Sequence, residues 1–270
     1  MQIDLSGGAA LITGATQGIG AAVARHFAQQ GCALHLWDKQ AAICDLAAEI
    51  SQQYSIPVTG RCVDVASESE VSEAADEIAQ TGEASLKYVV HAAAIGSGCF
   101  GFPFTNLSPS DWIKPIQVNL MGMVHLAHAV TPLLRKQRSG SMVFIGSVAG
   151  QSGSQTDPPY SATKAANLNF TQCMAKDLAQ DQIRVNMVCP GMVRTKLAES
   201  VWKSWYDQQL TYEVKDFDEW AEEKIKAMIP LGQWQTPEDI ANMVLFLSSN
   251  LASQITGQII NVDGGYVMHW

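Results

Sequence analysis

The residues with the clearest chemical potential are Ser147, Tyr160 and Lys164. Tyr160 and Lys164 are four residues apart, so a helix would place both side chains on one face. A free tyrosine has a pKa of about 10 and is a poor base at neutral pH, but a neighbouring ammonium group favours the phenolate. The pair therefore predicts a tyrosine general base. Ser147 follows a predicted apolar strand, where its hydroxyl either belongs to the same set or caps the strand end.

A glycine-rich segment, TGATQGIG at residues 13–20, joins the first predicted strand to the first predicted helix. Glycines at this spacing let the chain turn tightly and let the backbone approach a pyrophosphate, which then lies against the N–H groups of the helix N-terminus. Asp38 ends the second predicted strand, twenty residues after Gly18, where a carboxylate can accept hydrogen bonds from an adenosine ribose. The alternatives are an ordinary glycine turn and a helix N-cap at Asp38.

These groups need a scaffold, and seven apolar, β-rich runs predict its strands, at 9–13, 33–37, 58–65, 88–93, 142–146, 184–189 and 258–262. Helices are predicted between them at 19–30, 41–53, 68–80, 110–136, 160–179 and 237–248. Because the strands are nearly continuous in apolar residues, both faces of the sheet should be covered. The alternation of strand and helix predicts an α/β fold with a Rossmann-like, doubly wound parallel sheet in a single domain, residues 1–270.

Composition and charge limit the classes of function. The chain has 270 residues, of which 47% are hydrophobic and 16% charged, and it has no linker-like stretch. Its formal net charge of -9 leaves no basic surface for nucleic acid or for an anionic membrane. The N-terminal residues carry no positive charge and no apolar run is long enough to span a bilayer, so we expect a cytoplasmic protein. The six cysteines are too scattered for a metal knuckle and are expected to be reduced thiols.

One long stretch lacks a predicted strand, the roughly forty residues that follow Pro190 and Gly191. Ligands of doubly wound sheets bind outside the carboxyl ends of the strands, so we expect a segment at about 195–228 to cover the substrate. Its aromatic residues could stack on a cyclic substrate or pack between subunits. They are Trp202, Trp205, Tyr206, Tyr212, Phe217 and Trp220.

These motifs together resemble those of the short-chain dehydrogenase/reductases, and the resemblance covers essentially the whole chain. Residues 13–20 are similar to the family's T-G-x-x-x-G-x-G loop, Ser147, Tyr160 and Lys164 have the family's usual separations, and Asn119 is similar to its fourth catalytic residue. The resemblance implies that Ser147 hydrogen-bonds the substrate oxygen, that Tyr160 exchanges its proton, and that Lys164 holds ribose hydroxyls and lowers the tyrosine pKa. Asn119 would anchor a water that links the lysine to solvent; the alternative is a plain amide on a helix surface.

The resemblance also implies the cofactor contacts within a seven-stranded parallel sheet. The predicted cofactor-binding residues are Thr13, Gly14, Gln17, Gly18, Ile19, Gly20, Asp38, Asp64, Val65, Ala93, Tyr160, Lys164, Pro190, Gly191, Val193 and Thr195. Asp64 and Val65 would flank the adenine, and Val193 and Thr195 would contact the nicotinamide amide. We expect the cofactor to be NAD, because the Asp38 carboxylate lies where the 2'-phosphate of NADP would go.

Histidines raise two further questions. Where the family usually has Asn-Asn-Ala-Gly, this chain has His91 followed by three alanines, and we expect His91 to be a core or strand-end residue without a catalytic role. His125 and His128 are three residues apart, yet no third ligand stands close in sequence. We therefore expect them to pack in a helix, and no metal is predicted.

The predicted function is NAD-dependent hydride transfer involving a secondary alcohol or ketone that contacts Ser147 and Tyr160. By analogy with relatives that have a similar cover, the substrate could be a sugar, a polyol or a small diol. The alternatives are an NADPH-dependent ketone or 3-oxoacyl reductase and a catalytically silent dinucleotide-binding protein. The apolar composition and the family resemblance predict a homo-oligomer, preferably a tetramer, with the C-terminal tail from Tyr266 to Trp270 in an interface.

Overall fold

Seven parallel strands form the centre of the computed structural model, which describes residues 3–81, 84–209 and 214–268. The strands are β1 (Ala9–Thr13), β2 (Ala33–Asp38), β3 (Val58–Cys62), β4 (Leu86–His91), β5 (Gly140–Ile145), β6 (Ile183–Pro190) and β7 (Ile259–Val262). Their order in the sheet is β3-β2-β1-β4-β5-β6-β7, and all neighbours are parallel. The predicted α/β fold with a doubly wound sheet is confirmed.

Helices cover both faces of this sheet. They are α1 (Gly18–Gln29), α2 (Ile43–Tyr54), α3 (Glu68–Thr81), α4 (Ile113–Pro115), α5 (Gly122–Gln137), α6 (Pro158–Leu178), α7 (Lys196–Tyr206), α8 (Phe217–Met228) and α9 (Pro237–Ser248). One hydrophobic cluster joins the sheet to α1, α2 and α9, and it includes Phe27 and Leu36. A second cluster joins the opposite face to α3, α5 and α6, and it includes Met123 and Phe144. Adjacent strand residues enter opposite clusters, as the alternation of side chains along a strand requires.

The edge strand β3 differs from the inner strands of the sheet. In β3, Thr59 and Cys62 are exposed, so this strand is covered less than its apolar sequence predicted. It also ends at Cys62 rather than at Val65, because its neighbour β2 ends at Asp38 and leaves no further ladder partner. Val63 and Val65 remain buried in the loop that follows.

The predicted helix 110–136 is wrong as one continuous helix. The chain forms a 3-10 turn at Pro109–Trp112, the short α4, a π-helical segment at Ile116–Met121, and only then α5. Pro115 has no backbone N–H to donate, so the regular ladder is already incomplete where the π-helical segment begins. Such wide turns rotate the following side chains relative to a regular helix, and here the segment carries Asn119 inward.

The segment that follows β6 contains two helices, α7 and α8. Aromatic residues join them, since the ring centroid of Trp202 lies 6.0 Å from that of Phe217 and that of Trp205 lies 6.3 Å from that of Trp220. The aromatic side chains thus pack largely on one another within the cover. Tyr212 lies outside the described residues, as do His269 and Trp270.

Two further features bear on the class of protein. Within the described ranges, no helix combines the length and the apolarity needed to cross a membrane. All six cysteines are free thiols, and Cys32 and Cys189 are buried as small apolar side chains.

Candidate active site

A cavity of about 840 Å³ opens at the carboxyl ends of the central strands. The glycine-rich loop forms one wall, the loop after β5 and the start of α6 form a second, and α7 and α8 cover it. Its volume is within the range of sites that hold a cofactor or a small ligand. Nearly all of the predicted site residues line it; Thr13 and Asn119 lie behind the wall.

The glycine-rich loop fits a dinucleotide phosphate. Gly14 and Gly18 have positive φ angles of 66° and 56°, which L side chains rarely adopt. A Cβ at Gly14 would lie 2.6 Å from the Ala93 nitrogen, whereas at Gly18 the nearest atom would be Thr195 Cγ2 at 3.5 Å. Helix α1 has no side-chain cap and no acidic residue in its first turn. Its first N–H groups are therefore available to an anion beside Gly18.

Asp38 connects β2 to this loop. Its carboxylate accepts hydrogen bonds from the Thr16 and Gln40 backbone nitrogens, each at 3.1 Å. The helix-cap alternative for Asp38 is wrong, because α2 begins at Ile43 with Ala42 at its N-cap position. The carboxylate lines the cavity, where its remaining lone pairs can accept from a ribose.

The end of the cavity predicted to hold the adenine is bounded by Asp64, Val65 and Val118. Asp64 Oδ1 accepts a hydrogen bond from the Ala66 nitrogen at 2.9 Å, which fixes the turn after β3. His125 Nδ1 donates to the Val65 carbonyl at 3.0 Å and so ties α5 to the same turn. This contact gives His125 a packing role, while His128 is exposed.

The opposite end of the cavity brings Ser147 and Tyr160 together. The Ser147 hydroxyl hydrogen-bonds the Tyr160 side chain, and burial raises the pKa of Tyr160 above its usual value despite that bond. Ser147 Oγ also accepts a hydrogen bond from the Ala149 nitrogen at 3.1 Å. Ser147 therefore caps the turn after β5 and also contacts Tyr160.

Lys164 lies on the same face of α6 and is buried. Its Nζ donates to the Ile145 carbonyl at 2.7 Å and lies 5.5 Å from the centre of the Tyr160 ring. Burial lowers the pKa of Lys164 to about 8. Burial is the largest influence on the pKa of Tyr160 and raises it, while the hydrogen bond with Ser147 lowers it. The lowering of this pKa by Lys164 stays a prediction.

Asn119 is buried against the same helix. Its amide exchanges two hydrogen bonds of 2.8 Å with the backbone of Ile95 and donates to Thr163 Oγ1 at 3.1 Å. The backbone carbonyl of Asn119 accepts a hydrogen bond from Asn167 Nδ2 at 2.9 Å. The alternative of a surface amide is therefore wrong, since Asn119 joins the π-helical segment to the loop after β4 and to α6.

His91 is a core residue, as predicted. It is 4% exposed, and its ring hydrogen-bonds Thr13 Oγ1 with 2.8 Å between the two atoms. Thr13 and His91 are partners in the β1–β4 ladder, so this pair joins the two central strands beneath the cavity. Burial and the nearby Lys164 charge lower the pKa of His91 to about 3, which keeps the ring neutral.

The loop after β6 forms the last wall. Gly191 has no space for a side chain, because a Cβ there would lie 2.7 Å from Gln235 Oε1. Val193 pairs with Gln235 in an isolated parallel bridge, which holds the loop open toward the cavity. Pro190, Gly191, Val193 and Thr195 all line it, so the structure gathers this predicted group in one place.

Sequence reasoning missed several residues of the site. Asp157 caps α6 and its carboxylate accepts from the backbone nitrogens of Ser97 at 2.8 Å and Tyr160 at 3.1 Å. The signal was present, since an aspartate followed by two prolines is typical of a helix start. Lys224 and Tyr266 also line the cavity, and no short motif marks them.

Comparisons with known proteins agree with this geometry. Residues 14–267 match the family profile described as Enoyl-(Acyl carrier protein) reductase. The 3-oxoacyl-(acyl-carrier-protein) reductase FabG of Aquifex aeolicus is 34% identical over 98% of this chain and 99% of that protein.

Among solved structures, L-sorbose reductase from Gluconobacter frateurii, complexed with NADPH and L-sorbose, superposes with a TM-score of 0.90 at 25% identity over 100% of both chains. An NAD+-bound xylitol dehydrogenase superposes with a TM-score of 0.88 at 25% identity over 97% of this chain and 99% of that one. The chain belongs to the short-chain dehydrogenase/reductase family, whose members are oxidoreductases that bind a nicotinamide dinucleotide.

Proposed function

We propose that the protein catalyses NAD-dependent hydride transfer between nicotinamide and a secondary alcohol or its ketone. The observation that carries this proposal is the meeting of Ser147, Tyr160 and Lys164 in the cavity that also contains the glycine-rich loop. A silent binding protein has no need for an intact acid–base set, so this alternative is disfavoured.

The catalytic roles follow from the positions of the side chains. Bound NAD supplies the hydride acceptor and a positive charge near the tyrosine. The Ser147 hydroxyl orients the substrate oxygen, and Tyr160 takes the proton from the alcohol or returns it to the ketone. Lys164, anchored on the Ile145 carbonyl, holds a positive charge beside Tyr160 and reaches the ribose hydroxyls.

We assign the pyrophosphate to the α1 N-terminus and Gly18, and the adenosine ribose to Asp38. Family members that share the fold use either cofactor, since the solved structures include both an NADPH and an NAD+ complex. Selectivity must therefore depend on the residues of this chain. Asp38 presents a carboxylate where a 2'-phosphate would lie, and Lys39 is its neighbouring cation in sequence.

The substrate class we propose is a sugar, a polyol or a related small diol. The names of the two solved structures, which concern L-sorbose and xylitol, support it. The second candidate is an NADPH-dependent 3-oxoacyl reductase, which the identity with the Aquifex aeolicus reductase favours.

One assay separates these candidates. The purified protein is incubated with NAD or NADP and a panel of polyols and secondary alcohols, and separately with NADH or NADPH and acetoacetyl-coenzyme A. We expect NADH formation from a member of the first panel. Faster oxidation of NADPH by acetoacetyl-coenzyme A would instead support the 3-oxoacyl reductase.

The proposed assembly is a homotetramer in the cytoplasm, with a small molecule as the only other partner. The family resemblance and the exposed apolar side chains of Ile113 and Ile116 support association through the helices before α5.

A further inference from the structure

One face of α8 is turned toward the cavity. Trp220, Lys224 and Met228 are spaced by four residues, so they lie on one side of the helix, and all three line the cavity. The helix belongs to the cover, and Tyr160 and Tyr266 line the same cavity.

Lys224 differs from Lys215 and Lys226, the lysines next to it in sequence. Lys215 pairs with Glu223 and Lys226 pairs with Glu222 on the exposed faces of the cover. No ion pair among the described residues includes Lys224. The reason lies in the sequence, because the residues three and four positions away on the helix are all apolar: Trp220, Ala221, Ala227 and Met228.

Lys224 packs against an aromatic ring in the wall of the cavity. The ammonium group lies 4.5 Å from the centre of the Trp220 ring, which stabilises a cation. The side chain is half-buried, and this burial lowers its pKa. A cation removed from water gains most from an anion that replaces its lost hydration.

The carboxylates of the cavity do not supply that anion. Asp38, Asp64 and Asp157 all accept hydrogen bonds from backbone nitrogens, and no ion pair among the described residues joins any of them to Lys224. Glu199 lines the cavity but is exposed, and no ion pair among the described residues joins it to Lys224.

We propose that Lys224 forms a subsite for an anionic group on the substrate, a carboxylate or a phosphate ester. This inference rests on the proposed function, because it takes the same cavity to hold the alcohol or ketone. It narrows the substrate class from neutral polyols to hydroxy acids or sugar phosphates, with Trp220 packing beneath the charged end.

Binding to the NADH-loaded protein tests this subsite without requiring turnover. Isothermal titration calorimetry is performed with glucitol, gluconate and glucitol 6-phosphate as probes. We expect at least one anionic probe to bind about ten-fold or more tightly than glucitol, as a charged hydrogen bond provides. Tighter gluconate binding assigns a carboxylate, and tighter glucitol 6-phosphate binding assigns a phosphate ester. Equal affinities, or no binding of either anionic probe, would overturn the proposal.

Four variants locate the effect. Lys224→Met should remove the anion preference, Lys224→Arg should retain it, and Lys226→Met is the matched exposed control that should leave it unchanged. An equal loss in the Lys224 and Lys226 variants would show a general surface effect and overturn the assignment. Glu199→Gln should leave or strengthen the preference; abolition by this variant would show that Glu199, and not a ligand, governs Lys224. The hydride-transfer assay remains a separate measurement, so a failed subsite and a failed enzyme activity give different results.

Discussion

Replacing Asp38 by asparagine should erode the preference for NAD over NADP. The change removes the charge and keeps one carbonyl oxygen for the Thr16 or Gln40 nitrogen, which the carboxylate now holds at 3.1 Å. A hydrogen bond from a ribose hydroxyl to a charged group contributes about 1.5–3 kcal/mol, or roughly ten- to a hundred-fold in affinity. The same charge repels a 2'-phosphate, so both effects favour NAD and a wild-type preference of about two orders of magnitude is expected.

The assay is kcat/KM for each cofactor with one fixed substrate. The Asp38→Asn variant should lose most of its NAD efficiency and bring the two cofactors within about ten-fold of each other. Asp45→Asn is the control, because Asp45 is an exposed carboxylate in the first turn of α2 and does not line the cavity. The reasoning is refuted if wild-type protein uses both cofactors equally well, or if the two variants change selectivity alike.

Four further outcomes are expected. Tyr160→Phe should reduce turnover by roughly a hundred- to ten-thousand-fold with NADH binding retained, and a rate above about a tenth of wild type would contradict its role. His91 has a pKa of about 3 when folded and 6.5 ordinarily, so the unfolded state takes up the proton first and stability falls as pH drops below 6.5. When the pH falls from 6.5 to 4, wild-type protein should therefore lose about 3 kcal/mol more unfolding free energy than His91→Asn. Urea titrations at both pH values measure this difference, and equal losses in the two proteins would contradict the reasoning. Segment 195–228 should gain protection from hydrogen exchange when cofactor and substrate bind, whereas equal protection would indicate a rigid element. Light scattering should give a tetramer at micromolar concentration, and a monomer would end the assembly proposal.

Much of the fold could be predicted because the strands are short and apolar and the turns carry strong signals. The ends of β1 and α9 agree with the predicted bounds, since a glycine-rich loop follows β1 and a Thr-Pro cap precedes α9. Failures occurred where tertiary contacts override local pattern. Asn119 lies in a π-helical segment that hydrophobic periodicity does not distinguish from a regular helix.

The site was predictable where backbone geometry demands particular residues, as at Gly14 and Gly18. The acid–base set was also predictable, because its members follow one strand and open one helix. The pKa shifts of Tyr160 and Lys164 were not predictable. The burial that raises the pKa of Tyr160 and lowers that of Lys164 depends on contacts between residues distant in sequence. The proposed role of Lys224 likewise depends on which face of α8 meets the cavity.

Isotope transfer tests the central claim most directly. Wild-type protein and Tyr160→Phe are incubated with NAD and a panel of secondary alcohols that carry deuterium on the carbinol carbon, and the mass of the nicotinamide product is measured. The proposed function predicts that wild-type protein forms NADH carrying one deuterium from at least one alcohol and that Tyr160→Phe forms almost none. Absence of deuterium transfer across the whole panel, or equal transfer by the two proteins, would contradict it.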